Sequence, residues 1–225
     1  MSGALNRGIT SSVSMVPDRI ARAATALFSR QGYHGTSTRE IARLADVSEV
    51  TVFRYFDHKE DIFLSALDFS FSTIKPRLDL FERGSERRTP EAMLPQILSL
   101  LVDMATFSPE LMRLVGVAVL ELHGKAEDVC FEHLAPLFAA IASYLTTNME
   151  NGKLRTLNPV IVTAAMALTV IAQPELSKLI PGSTLSRMGG REAIDEYSTF
   201  WLNVLAPSPQ ERAQGSAPAV EAPKV

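Results

Sequence analysis

The chain has one cysteine in 225 residues, Cys130, which excludes an intramolecular disulfide framework and fits a reducing, cytoplasmic compartment. It has little surplus charge. Lysine and arginine total 22 against 25 aspartates and glutamates, for a formal net charge of −3. No global basic field draws it to a polyanion, so any such attraction must come from a local cluster. It has no phosphate-binding glycine loop, no His-Glu-x-x-His, no nucleophile elbow and no evident acid–base pair on a shared helical face. Catalysis is therefore not expected, and no catalytic residue or cofactor is assigned. A metal site finds little support: Cys130 and His133 lie one helical turn apart with His123 upstream, too few donors for a cage. Cys130 is expected to be a small buried hydrophobe. The uncharged run 159–171 is shorter than the roughly 20 residues a bilayer core requires, and no membrane partner is expected. Residues 1–16 lack the apolar core of a signal peptide and read as a flexible arm.

What is present is helix punctuation. The hydrophobic content, 46%, suffices for a small module plus a larger helical domain, and an all-α chain is expected. Ile20, Ala23, Ala24, Leu27 and Phe28 recur at three and four residues over 18–31, with Gly32 as a stop. Ser37 followed by Glu40 makes a capping box, so a helix starts near Thr38 with Ile41, Ala42 and Ala45 on one side. Asp46 sits in a turn where left-handed backbone is tolerated, and Ser48 is a second N-cap. From Glu49, Val52 and Phe56 share an inward stripe with Val47 behind them, which leaves Glu49, Val50, Thr51, Phe53 and Arg54 outside. Asp57 and Glu60 repeat the capping-box spacing ahead of a long amphipathic helix through Ile62, Phe63, Ala66, Leu67, Phe71 and Ile74. Two short helices with an outward second member are the form that presents a rod to a DNA groove.

Ala24, Leu27, Phe28, Gly32, Tyr33, Gly35, Thr36, Ser37, Ile41, Ala42, Ala45, Val47, Ser48, Thr51, Phe53, Arg54, Tyr55, Phe56, Lys59, Glu60 and Leu64 together resemble the tetracycline-repressor (TetR/AcrR) family of bacterial transcription regulators, over about 17–67. The resemblance implies a helix-turn-helix DNA-binding domain followed by a larger helical domain for effector binding and dimerisation. It implies DNA contact by Thr38, Arg39, Ser48, Glu49, Val50, Thr51, Phe53, Arg54, Tyr55 and Lys59, the last as a phosphate-binding lysine. Two positions depart from the pattern. Phe53 lacks the hydroxyl of the usual tyrosine, and Glu49 is acidic where glycine, lysine or glutamine is frequent. Glu49 can accept from cytosine N4 or stand as a solvated first-turn carboxylate favoured by the helix dipole.

Beyond Leu78 the joints are Gly84 to Pro90, Ser108-Pro109-Glu110, Gly124, Gly152, Asn158-Pro159, Pro174, Pro181-Gly182 and Gly189-Gly190. The expected divisions are an arm over 1–16, a DNA-binding domain over 17–62, an effector and dimerisation domain over 63–206, and a disordered tail over 207–225, rich in Pro, Ala and Ser. The helix from Pro159 is apolar almost all round. With the aromatic-bearing last helix it suggests a subunit interface through Val162, Met166, Val170, Tyr197 and Trp201. Methionines and aromatics of the middle helices suggest a pocket for a small apolar or aromatic effector, lined by Met104, Phe107, Met112, His123, Phe138, Met166 and Gln173. The function this implies is a ligand-responsive regulator, a repressor by family default, binding a palindromic operator as a homodimer. The alternative is a helical interaction protein of the same fold with weakened DNA contact.

Overall fold

The computed structural model describes residues 15–82, 88–183, 187–188 and 190–208. The first fourteen residues lie outside them, as do residues 209–225 of the expected tail and most of the joint from Gly84 to Pro90. The described residues form ten α-helices, one π-helical turn and no strand: α1 Val16–Gly35, α2 Thr38–Leu44, α3 Glu49–Tyr55, α4 Lys59–Glu82, α5 Pro90–Phe107, α6 Pro109–Val117, the π turn Ala118–Leu122, α7 Lys125–Glu150, α8 Pro159–Ile171, α9 Gln173–Leu179 and α10 Gly190–Leu205.

The amino-terminal helix begins at Val16, with proline in its first turn. Gly32, at φ +73° and ψ 176°, breaks the helical path, a conformation only glycine takes without strain. α1 packs on α4 and α6. Its C-terminal part joins α4 through an aromatic trio: Phe28 lies 5.2 Å from Phe63 edge-on and 5.7 Å from Tyr33, and Tyr33 is 5.8 Å from Phe63. At the opposite end the Arg19 guanidinium donates to the carbonyls of Ala45 and Asp46, satisfying acceptors that the end of α2 leaves open. Asp46 adopts φ +54°, the left-handed backbone expected of it.

The capping of α4 differs from expectation by one residue. The helix begins at Lys59, and Asp61 Oδ2 accepts from the His58 amide at 2.8 Å; the Asp57–Glu60 pairing suggested by spacing is replaced by His58–Asp61. Further along, α8 ends at Ile171 and Pro174 falls in the first turn of α9, where a missing N–H costs nothing.

One continuous core runs from Ile20 and Phe28 through Phe63 and Leu67 to Leu98, Leu145 and Met166. α7 is long and apolar enough by composition to cross a membrane; here Cys130, Leu137, Ile141 and Leu145 fill its buried face, and it packs on α4 and α8.

Candidate nucleic-acid interface and apolar groove

The second short helix, α3, is held by a single deep anchor. Val52 is fully buried, with Val47 and Phe56 half-buried beside it. Of the predicted outward face Val50, Phe53 and Arg54 are exposed and Glu49 and Thr51 half-buried, and Tyr55 is exposed beside them. Ser48 caps it, its Oγ accepting from the Thr51 amide at 3.0 Å. The box at α2 is complete: Glu40 N–H donates to Ser37 Oγ at 3.2 Å while Glu40 Oε2 accepts from the Ser37 amide at 3.0 Å.

Two of the expected contact residues hold each other. Thr38 Oγ1 donates to Glu49 Oε1 at 2.7 Å, which ties the start of α2 to the start of α3 and gives Glu49 a third role beside the two open in the sequence. Arg39 and Arg54 are exposed, and the Arg54 guanidinium lies 5.1 Å from the Tyr55 ring. Lys59 Nζ stands 4.4 Å from the Tyr33 ring centroid, a cation–π placement, and partial burial lowers its pKa from the usual lysine range. Burial, then Glu60 and Asp61, raise that of Tyr33. The basic groups Arg39, Arg54 and Lys59 therefore come from α2, α3 and α4 of one module. A concavity of about 670 Å³ beside Arg39 is lined by Arg39, Glu40, Arg43 and Glu49 together with Ala42 and Val47.

A second feature lies among α6, the π turn, α7 and α8. A groove of about 450 Å³ is lined by Val115, Val119, Cys130, Phe131, Leu134 and Phe138, with Val160, Thr163 and Ala164 on the α8 side. The Thr163 hydroxyl donates to the Pro159 carbonyl at 2.8 Å, which leaves little directed polarity. Burial, then Glu127, raises the Cys130 pKa to about 11, so its thiol is an apolar wall element rather than a nucleophile.

Residues 20–66 match the family model described as bacterial regulatory proteins, tetR family. These residues carry the tetR-family amino-terminal module. The chain is 41% identical over 70 residues to the HTH-type transcriptional regulator HbdR of an Aromatoleum species, covering 31% of the chain and 28% of that protein. It is 29% identical over 104 residues to the HTH-type transcriptional repressor NicS of Pseudomonas putida, covering 44% and 46%. The chain thus spans less than half the length of these curated relatives. In fold it is similar to the transcriptional regulator FadR of Bacillus subtilis in complex with stearoyl-CoA, at a TM-score of 0.64, 17% identity, and 81% and 95% coverage.

The tetR-family module gathers its expected residues, whereas those expected in the second domain scatter. Of the effector residues only Phe138 lines the groove. Met104 and Met166 are buried in the core and Met112 packs against it. Gln173 donates to the Met188 carbonyl at 3.4 Å, and the Phe107 side chain lies outside the described residues. His123 is on the surface, 3.1 Å from Glu127. His133, weighed with Cys130 and His123 as a metal ligand, pairs instead with Asp68. Sequence reasoning missed Val119, Phe131 and Ala164. A signal existed in the apolar pair Cys130 and Phe131 beside Leu134 and Phe138, but it is the spacing any core helix shows.

The interface expectation is corrected in the same way. Val162, Met166, Val170 and Trp201 are buried within the chain, and Tyr197 is half-buried. The exposed side of α8 carries Val160, Ile161 and Leu168, each 66% accessible, and α10 adds Phe200. Tyr197 Oη donates to the Thr169 carbonyl at 3.3 Å, setting α10 beside α8. In a helix apolar all round, periodicity does not say which side meets the chain's own core.

Proposed function

We propose that the chain is a ligand-responsive transcriptional regulator, a repressor in its default action, that binds a palindromic operator as a homodimer in the bacterial cytoplasm. The observation that carries this reading is α3: one buried anchor at Val52 and an outward face of Val50, Phe53, Arg54 and Tyr55, flanked by Arg39 and Lys59. Arg39, Arg54 and Lys59 engage phosphates or base edges, and Thr38 and Ser48 hold the reading helix in position for them.

A twofold pair of reading helices is needed because one such helix touches too few bases to select a site. The apolar surface of Ile161, Leu168 and Phe200 on α8 and α10 supplies the contact between copies. The effector is an acyl chain or aromatic hydrocarbon lodged in the groove, which offers apolar walls and little directed polarity. It acts by favouring a dimer whose reading heads do not fit the operator.

Selection of bound fragments from bacterial genomic DNA with the full-length protein tests the reading. Twofold-symmetric sites, bound with an affinity that falls steeply as salt rises, are the expected result. No recovered site and no salt-dependent binding would overturn it in favour of the interaction-protein alternative.

A further inference from the structure

The polar side chains that open α3 are paired within the module. Ser48 Oγ accepts from the Thr51 amide and lies 2.8 Å from Thr51 Oγ1, and the Glu49 carboxylate accepts from the Thr38 hydroxyl. The helical repeat sets Val50 roughly 200° round the axis from Val52, its only fully buried residue. Val50 thus stands at the centre of the outward face, 81% accessible, with Arg54 one turn further along the same line. A lone exposed valine is ordinary on a protein surface. Here it stands on the side of α3 away from the buried Val52, beside Ser48, Glu49 and Thr51, whose side chains are already hydrogen-bonded.

We propose that Val50 is a specificity-determining residue that reads the C5 methyl group of a thymine in the major groove. The proposal rests on the operator-binding reading above. A valine has neither donor nor acceptor. The major-groove edges offer the N7, O6 and O4 acceptors, the N4 and N6 donors, and one apolar feature, the thymine methyl. An acceptor or amine pressed against Val50 loses its water without gaining a partner, so the side chain favours thymine and disfavours the other bases at one position of each half-site.

The test uses the full-length protein and synthetic duplexes of its selected operator in which single thymines are replaced by deoxyuridine, which removes the methyl and keeps the pairing. At one position per half-site the replacement should weaken binding by about fourfold, the value of one apolar carbon withdrawn from contact. V50A should bind the thymine and deoxyuridine duplexes alike, whereas K59A should keep the methyl discrimination while binding both more weakly. Crossing the protein and DNA changes isolates the pair. Val50 is exposed, so V50A should retain native helicity by circular dichroism. Indifference of the unmodified protein to deoxyuridine throughout a site it binds, or an undiminished methyl effect in V50A, would overturn the assignment and leave operator binding standing. Failure to select any duplex would remove the operator reading itself.

Discussion

Thr38 and Glu49, eleven residues apart on successive short helices, are joined by a 2.7 Å hydrogen bond in which the threonine hydroxyl donates to the carboxylate. The bond ties the start of α2 to the start of α3. It also occupies the one acidic group on the reading helix. Glu49→Gln should therefore leave the ranking of operator bases unchanged, since an amide oxygen can still accept from Thr38. Thr38→Val releases the carboxylate toward the phosphates and should weaken binding to every sequence by roughly fivefold, about 1 kcal/mol. Titrations against operators substituted base by base check both. A changed base preference at one position in Glu49→Gln would make Glu49 a reader rather than a brace.

Lys59 holds its ammonium 4.4 Å from the Tyr33 ring. The ring in turn is fixed by Phe28 and Phe63. Lys59→Ala should lower affinity uniformly across sequences and reduce the slope of log affinity against log salt by about one unit, for one lost phosphate contact. An unaltered slope would place Lys59 outside the interface.

The amino-terminal module was legible because its information is local. Caps at Ser37 and Ser48, the Gly32 stop and the inward stripe of Val52 and Phe56 each follow from neighbours within about one turn; the structure has both caps and the break at Gly32, with Val52 buried and Phe56 half-buried. The second domain was legible only as a set of helices. Which side of α8 faces inward depends on α5 and α7, which are distant in sequence, and an apolar residue looks the same whether it meets the core, a partner or a ligand. For that reason Met166 and Val162 were expected at functional surfaces and lie in the core, while Val160 and Phe131 went unnoticed. Asp68, exposed on α4, gave no sign in sequence of its partner His133, 65 residues away.

If Ile161, Leu168 and Phe200 meet a second copy, a charge there should separate the subunits without unfolding them. Leu168→Glu places a carboxylate on an exposed position, so each subunit should keep its helicity while light scattering reports monomers and operator affinity drops at least tenfold. Val162→Glu makes the same change on the buried side of the same helix and should prevent folding, because an unpaired charge in the core costs several kcal/mol. A dimeric Leu168→Glu would move the interface elsewhere.

Cys130 supplies a reporter for the groove. With its pKa raised to about 11 by burial and by Glu127, it should react with iodoacetamide at neutral pH far more slowly in the folded chain than in urea. The unfolded chain releases this proton first. Its contribution to stability is therefore complete below the ordinary thiol range and declines as pH rises from there toward 11. Equal labelling rates in folded and unfolded protein would contradict the buried placement.

His133 joins the groove's helix to the helix that carries Lys59. Its Nε2 lies 2.8 Å from Asp68 Oδ1, and since a carboxylate only accepts, the nitrogen donates. The ring also stacks on Phe71 at 4.5 Å and 14°. Cys130 and Leu134, one turn before it and next to it on α7, line the groove, so under the proposed effector reading a displacement of α7 would reach α4 through this pair. His133→Leu keeps the apolar stacking surface and removes the donor. It should leave operator affinity in the absence of ligand within about twofold while reducing the change in affinity produced by a fluorescent fatty acid by about 1 kcal/mol, within the range by which single residues modulate coupling. Asp68→Asn, whose amide oxygen still accepts, should retain most of the response. Operator titrations with and without the probe measure both quantities, and an identical response in His133→Leu would mean that α7 and α4 communicate through their apolar contacts alone.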